Sequence, residues 1–244
     1  MKNFDPVLEQ RRLLLIRALG GVVAGALPAG LWAQGLLGST PGRLPPGQSF
    51  YRLAGTVTVD DQPATLGTSV RPGSTVATGD DSEAVFVVGT QAMLMRANSR
   101  LVIEPAAASF DPLGAGIAGL RLVGKMLTVS RESGMKIHTA TATIGIRGTG
   151  WYAESAPDVT YFCTCYGETD VVANDDETSR ASIVSKQHDQ PLYITREGPA
   201  GEHIRNAPFI NHTDQELALI EALVGREPPF VFPRSTYNAP RRTY

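Results

Sequence analysis

The stretch TYFCTCYGE at positions 160–168 contains the only two cysteines of the chain, Cys163 and Cys165. If this stretch is a β-strand, both side chains point to the same face, with Cα atoms about 6.6–7 Å apart. That separation is at or beyond the upper limit for a disulfide, so a bridge would need a distorted backbone. Two neighbouring thiolates can instead turn toward one metal ion at about 2.3 Å each. The spacing therefore favours a shared metal ion over a bridge.

A metal ion needs further ligands, and the chain has four histidines that could supply them. His188 ranks first because it lies in a polar turn near a predicted neighbouring strand. His203 and His212 rank next, and we take His203 as the fourth ligand beside His188 and the two cysteines. His138 lies on an alternating strand and is expected to be half-buried with its hydrogen bonds satisfied. Thiolates combined with imidazole suit a zinc, copper or iron ion.

Two other interpretations of the cysteine pair stay open. The aromatic neighbours Tyr161, Phe162 and Tyr166 indicate a core-facing strand, in which buried thiols would serve packing alone. A disulfide or redox pair is the third interpretation, because exported chains rarely keep inert thiols. A single C-x-C is a weaker metal motif than paired C-x-x-C units, so the motif does not decide among the three.

The sequence contains none of the common catalytic motifs. It has no G-x-S-x-G nucleophile elbow, no H-E-x-x-H and no phosphate-binding loop. Its 22 basic and 24 acidic residues give a net charge of −2, with no basic cluster outside the N-terminal region, so nucleic-acid binding is not expected. We therefore expect a non-catalytic protein, and a thiol-based redox or metalloenzyme is the alternative.

Residues 1–33 have the layout of an export signal. The pair Arg11-Arg12 precedes an apolar run from Leu13 to about Ala33, which Arg17 and several glycines interrupt. This arrangement is similar to a twin-arginine signal, and a general secretory signal or an uncleaved anchor are the alternatives. The expected location is the periplasm or another part of the bacterial cell envelope, with membrane contact only through this segment if it is retained.

The rest of the chain predicts a mainly β protein. Residues 34–49 are rich in Gly, Pro and Ser and are typical of a linker. Short alternating runs separated by turn signals follow over residues 50–175 and favour an antiparallel β-sandwich or an irregular β-solenoid. Within them, residues 106–119 are too small and Gly-rich for a strand and are expected to form a long excursion.

A C-terminal β extension and one helix are expected over residues 176–227, and a loose tail over residues 228–244. The helix begins after a Thr213 cap, with Glu216 as its capping-box partner, and ends at Gly225. Because a helix of about three turns is not stable alone, it should dock on the β domain.

Several phrases of the middle region together resemble the FecR-like domain of bacterial envelope proteins. They span residues 54–173 and read AGTVTVDDQPA, SVRPGSTVATGDDSEAVFVV, LMRANSRLVIEP, LVGKMLTVS and TATATIGIRGTGWYAE. Trp151 or Tyr152 stands where the family usually has phenylalanine. The resemblance implies an all-β periplasmic or surface domain that binds an envelope protein or glycan partner and carries no catalytic machinery.

The FecR-like family includes membrane regulators that relay iron-uptake signals to a sigma factor. Only twelve residues precede the apolar run here, so we expect a free exported FecR-like binding or scaffold protein. A membrane-anchored signal-relay protein is the alternative that the resemblance leaves open.

Overall fold

The computed structural model describes residues 42–106 and 116–230. The predicted export signal, residues 34–41 of the linker, residues 107–115 of the excursion and residues 231–244 of the tail lie outside the described residues. The described part contains fifteen strands and one helix, which confirms the mainly β class with one C-terminal helix. The strands are β1 (Phe50–Ala54), β2 (Val57–Val59), β3 (Gln62–Pro63), β4 (Thr75–Thr78), β5 (Glu83–Val88), β6 (Gln91–Met95), β7 (Ser99–Pro105), β8 (Ile117–Val129), β9 (Ser133–His138), β10 (Ala142–Arg147), β11 (Gly150–Ser155), β12 (Val159–Ala173), β13 (Arg180–Ser185), β14 (Leu192–Thr195) and β15 (Ile204–Asn206), and the helix is α1 (Asp214–Leu223).

The strands form two sheets that share two long strands. The first sheet has the order β1-β5-β6-β8-β11-β12-β14-β15. The second has the order β3-β2-β4-β7-β8-β9-β10-β12-β13. Among these pairings β8–β9 is parallel and the others are antiparallel. Because the two sheets share β8 and β12, the described strands form one continuous, barrel-like arrangement.

Strands β8 and β12 pass from one sheet to the other at a glycine. Gly124 in β8 has φ +91° and Gly167 in β12 has φ +89°, a left-handed conformation that glycine adopts without strain. A side chain at position 167 would also clash with the backbone, because a Cβ there would lie 2.6 Å from the carbonyl oxygen of Gly148. Strand β12 is therefore one continuous strand with a corner at Gly167.

Alternation along the first sheet creates two buried faces. Trp151, Ala153 and Phe162 point inward, to a hydrophobic core shared with the second sheet. Tyr152 and Cys163, on the adjacent strands β11 and β12, are also buried but stand apart from that core. We call the side of the first sheet that carries them the outer face. A sheet with two apolar faces needs a cover on each of them.

Helix α1 covers part of the outer face, where it packs against β6 and β8. Thr213 is its N-cap, and the reciprocal hydrogen bonds with Glu216 form the predicted capping box. The buried apolar residues of the helix are Leu217, Ile220 and Leu223. Gly225, with φ +69°, follows the C-cap at Val224. The prediction of this helix and of its docking is confirmed. Within residues 42–106 and 116–230, no helix is both long and apolar enough to cross a bilayer.

Candidate metal centre

Strand β12 presents Cys163 and Cys165 on the outer face. Both side chains are fully buried and both thiols are free. Thr164 between them points the other way, where its hydroxyl lies 2.7 Å from that of Thr169. The two sulfur atoms therefore share one side of an extended strand, as the two-residue period predicts.

His188 lies in the connection between β13 and β14, beside the cysteines. Its backbone N–H donates to the carbonyl of Cys165 at 2.9 Å, and its φ is +53°. This backbone geometry brings the imidazole over β12, with Nδ1 at 3.4 Å from the Cys163 sulfur. The side chain is only 7% exposed.

His212 reaches the same place from the segment that precedes α1. The N–H of Ile210 donates to the Tyr161 hydroxyl at 3.2 Å, which ties this segment to the outer face. The His212 ring stacks on Tyr152, with ring centroids 4.5 Å apart and planes 20° apart. Its Nε2 lies 3.5 Å from the Cys165 sulfur.

The four donor atoms are spaced as the ligands of one tetrahedral ion. All of them lie within 4.8 Å of one another. A tetrahedron with Zn–S of about 2.3 Å and Zn–N of about 2.05 Å has S···N edges of about 3.5 Å and an N···N edge of about 3.3 Å. The structure has S···N distances of 3.4 and 3.5 Å and an N···N distance of 3.2 Å. Three of the six edges therefore match a mononuclear Cys2His2 site, and the other three lie within the 4.8 Å limit.

Each imidazole is also oriented by a hydrogen bond at its other ring nitrogen. His188 Nε2 lies 2.8 Å from Oδ1 of Asp214, and His212 Nδ1 lies 2.7 Å from the carbonyl oxygen of Ile210. An N–H donated to these acceptors leaves Nδ1 of His188 and Nε2 of His212 as lone-pair donors that face the sulfur atoms. Histidine ligands of metal ions in proteins are usually held in this way.

Without a metal ion, the two thiols differ in proton affinity. Hydrogen bonding from Cys165, reinforced by His188, lowers the pKa of Cys163 to about 4. Burial raises the pKa of Cys165 well above its ordinary value. Burial opposes the charged form of His188, but hydrogen bonds to Cys163 and Asp214 outweigh it and raise its pKa. The metal-free site therefore favours a thiolate at Cys163, and that thiolate in turn favours the protonated form of His188.

The site is closed to solvent. His212 is 4% exposed, and the Phe209 ring packs on both imidazoles, 4.3 Å from that of His188 and 4.6 Å from that of His212 between centroids. Phe209 is itself 47% exposed, so it forms the outer wall. Four protein donors in a closed pocket are typical of structural metal sites, because catalytic zinc sites keep one position open for water.

His203, which was predicted from the sequence as the fourth ligand, is not at the site. It lies in the hairpin between β14 and β15, where its carbonyl accepts from the N–H of Thr195 at 2.9 Å. Its Nε2 lies 3.1 Å from the carbonyl oxygen of Gly198. The side chain therefore serves the hairpin, and His212 takes the place beside Cys163, Cys165 and His188. His138 is half-buried against Thr143, at 3.3 Å, as expected.

Asp214 is the other functional residue that sequence reasoning missed. A signal for it exists in the sequence, since Asp214 lies two residues after His212 and begins the predicted helix. An acid beside a histidine is, however, too common to select without knowledge of the tertiary contacts.

Comparisons with known proteins identify no family. No protein-family model matches the chain, and no curated protein has a significant sequence match. Two crystal structures, at 1.65 and 2.50 Å, of a protein of Parabacteroides distasonis ATCC 8503 described as a presumed anti-sigma factor align with 11% and 10% identity and TM-scores of 0.42 and 0.40. The alignments cover 55% of this chain and 58% of that chain. The chain thus spans little more than half the length of that protein, and at this similarity no function is transferred from it.

Proposed function

We propose that the chain is an exported, non-catalytic binding or scaffold protein of the bacterial cell envelope whose β domain holds one metal ion. The observation that carries the metal site is the tetrahedral spacing of the four donor atoms of Cys163, Cys165, His188 and His212. The export part rests on the signal-like layout of residues 1–33. The binding role rests on the FecR-like phrases, and its partner, an envelope protein or a glycan, stays a prediction.

Zinc fits this donor set best among zinc, copper and iron. Two thiolates and two neutral imidazoles neutralise a divalent ion, which matters because an uncompensated charge is costly in a buried site. Zinc also has no d-electron preference that opposes a tetrahedron. Copper and iron accept the same donors, so elemental identity is part of the test.

The metal site is tested by elemental analysis of protein purified from its native compartment. We expect one metal ion per chain, predominantly zinc. The variants Cys163→Ser and His212→Ala should lose the ion, whereas His203→Ala, which removes a buried histidine outside the cluster, should keep it. Unchanged metal content in the first two variants, or metal-free parent protein, would refute the site.

Export is tested by mass spectrometry of the chain recovered from the bacterial envelope. A mature chain that begins near Gln34 supports export with cleavage. A chain that retains Arg11-Arg12 contradicts cleavage and favours the membrane-anchored relay protein.

A thiol-based activity is the second candidate, because two successive hydrogen bonds link Cys163 as nucleophile, His188 as base and Asp214 as the acid that orients the base. The Sγ···Nδ1 distance is 3.4 Å and the Nε2···Oδ1 distance is 2.8 Å. This order of groups activates thiols in hydrolases. Here the Cys163 side chain is fully buried, so substrate access would require Phe209 and the segment before α1 to move.

Ellman's reagent distinguishes the two candidates. Rapid reaction of the native protein would favour the thiol-based activity. Reaction that requires both unfolding and a chelator would favour the metal site, since a bound ion protects thiolates. No reaction under any of these conditions would indicate a disulfide, which excludes both metal-bound thiolates and a free Cys163 nucleophile.

A further inference from the structure

The metal ligands come from parts of the chain that only tertiary structure brings together. Two lie on β12, one lies between β13 and β14, and His212 lies in the segment 209–224 that ends with α1. Asp214, which orients His188, is the first residue of α1. A bound ion would therefore join the outer face of the first sheet directly to the start of the helix.

Polar contacts also hold the start of the segment 209–224 on the sheet. Arg96 on the β6–β7 connection donates to the carbonyl of Asn211 at 2.8 Å and pairs with Glu216 at 3.0 Å. Asn211 donates to Glu154 of β11 at 2.6 Å. Further along, the apolar side of α1 covers the outer face, whose buried residues include Leu94 and Leu127.

We infer that metal binding and docking of the segment 209–224 on the outer face are one coupled equilibrium. This inference rests on the proposed metal site. A ten-residue helix is not stable in isolation, so α1 depends on its contacts with the sheet. The ion adds a strong bond between the segment, through His212, and the three other ligands, which lie outside the segment, and loss of the ion removes that bond. The metal-free protein then undocks α1 and exposes the apolar outer face.

The experiment measures hydrogen exchange of the full chain with zinc and after its removal by a chelator. With free zinc at about 100 times its Kd, binding to the docked form alone suppresses undocking about 100-fold. Amides of α1 should therefore exchange about 100-fold faster after zinc removal. In the zinc-free protein, amides of Leu101 and Ile103 in β7, a strand of the second sheet, should stay more protected than those of α1, because α1 opens while the second sheet stays folded.

Each outcome decides the inference. Unchanged exchange of α1, in a protein that binds zinc at one ion per chain, would overturn the coupling and leave the metal site intact. Equal protection of α1 and β7 in the zinc-free protein would also overturn it, because α1 would then open only when the whole domain unfolds. Failure to bind zinc would overturn the proposed metal site itself.

A matched pair of variants tests the coupling in the reverse direction, by weakening helix docking and measuring the zinc Kd. Ile220→Val removes one methylene where α1 meets the sheet, and Ile103→Val removes one from the shared core. Such truncations typically weaken packing about two- to tenfold in the equilibrium constant. Because coupling is reciprocal, Ile220→Val should raise the zinc Kd by the factor by which it weakens docking, and Ile103→Val should leave it unchanged. Equal zinc Kd values in both variants would contradict the coupling.

Discussion

Asp214 is expected to set the strength of metal binding without touching the ion. Its Oδ1 lies 2.8 Å from Nε2 of His188, and its side chain is 26% exposed, so the carboxylate is partly shielded from water. Groups that orient a ligand in this way typically contribute 10- to 100-fold in metal affinity. Asp214→Ala removes both the charge and the acceptor, and we expect it to raise the zinc Kd by about 50-fold. Asp214→Asn keeps an acceptor for the imidazole N–H and should raise it only about 10-fold.

The assay is competition for zinc between the protein and a chromophoric chelator at about pH 7.4 and 0.15 M salt. Asp158→Ala is the control, because that carboxylate is 85% exposed and pairs with Arg196 rather than with a ligand. Asp214 also stands in the first turn of α1, where an acid stabilises the helix by about 0.3–1 kcal/mol. Urea unfolding of the zinc-free proteins measures that contribution separately. A Kd for Asp214→Ala within twofold of the parent would refute the argument that this carboxylate supports His188.

Three further predictions concern the surroundings of the site. Arg96→Leu removes the cation that pairs with the Glu216 carboxylate, whose side chain is only 11% exposed. We expect the free energy of unfolding, measured by urea denaturation, to fall by about 3 kcal/mol. A loss below about 1 kcal/mol would contradict this. In the metal-free protein, hydrogen bonds from Cys165 and His188, which both lie outside the segment 209–224, lower the pKa of Cys163 to about 4. Ultraviolet absorbance of one thiolate should therefore persist at about pH 6 and disappear as the pH falls through about 4, and its absence at about pH 6 would contradict these hydrogen bonds. Gly167→Ala places a Cβ 2.6 Å from a backbone oxygen at φ +89°, and should lower the free energy of unfolding by about 2 kcal/mol or more. Gly145→Ala, whose Cβ would have its nearest contact at 3.8 Å, should change that free energy little. Equal losses in the two variants would refute the argument that the corner in β12 requires glycine.

The elements that depend on local patterns could be predicted from the sequence. Alternation places Val57 and Val59 on one buried face of β2. The capping box between Thr213 and Glu216 involves residues three positions apart, so its signal is contained in four residues. The same-side placement of Cys163 and Cys165 needs only the two-residue period of a strand.

The corner in β12 and the second apolar face could not be predicted in this way. A glycine at position 167 within an apolar run is compatible with a strand end or with a bend inside a strand. The contact that requires glycine there is the close approach of the Gly148 backbone, which only the tertiary structure shows. Tyr152 and Trp151 are adjacent and both fully buried, which alternation alone would not predict. Burial on both sides requires that α1, about 60 residues later, returns to cover the outer face.

The sequence by itself determined that this protein is mainly β, that it carries one capped C-terminal helix, and that its two thiols share one side of a strand. Only the tertiary structure decided that His212 rather than His203 stands beside them, and that Asp214 orients His188. The reason is physical. Local patterns follow from backbone period and side-chain shape within a few residues. The choice of ligand depends instead on where connections far apart in the chain come together when the outer face is covered.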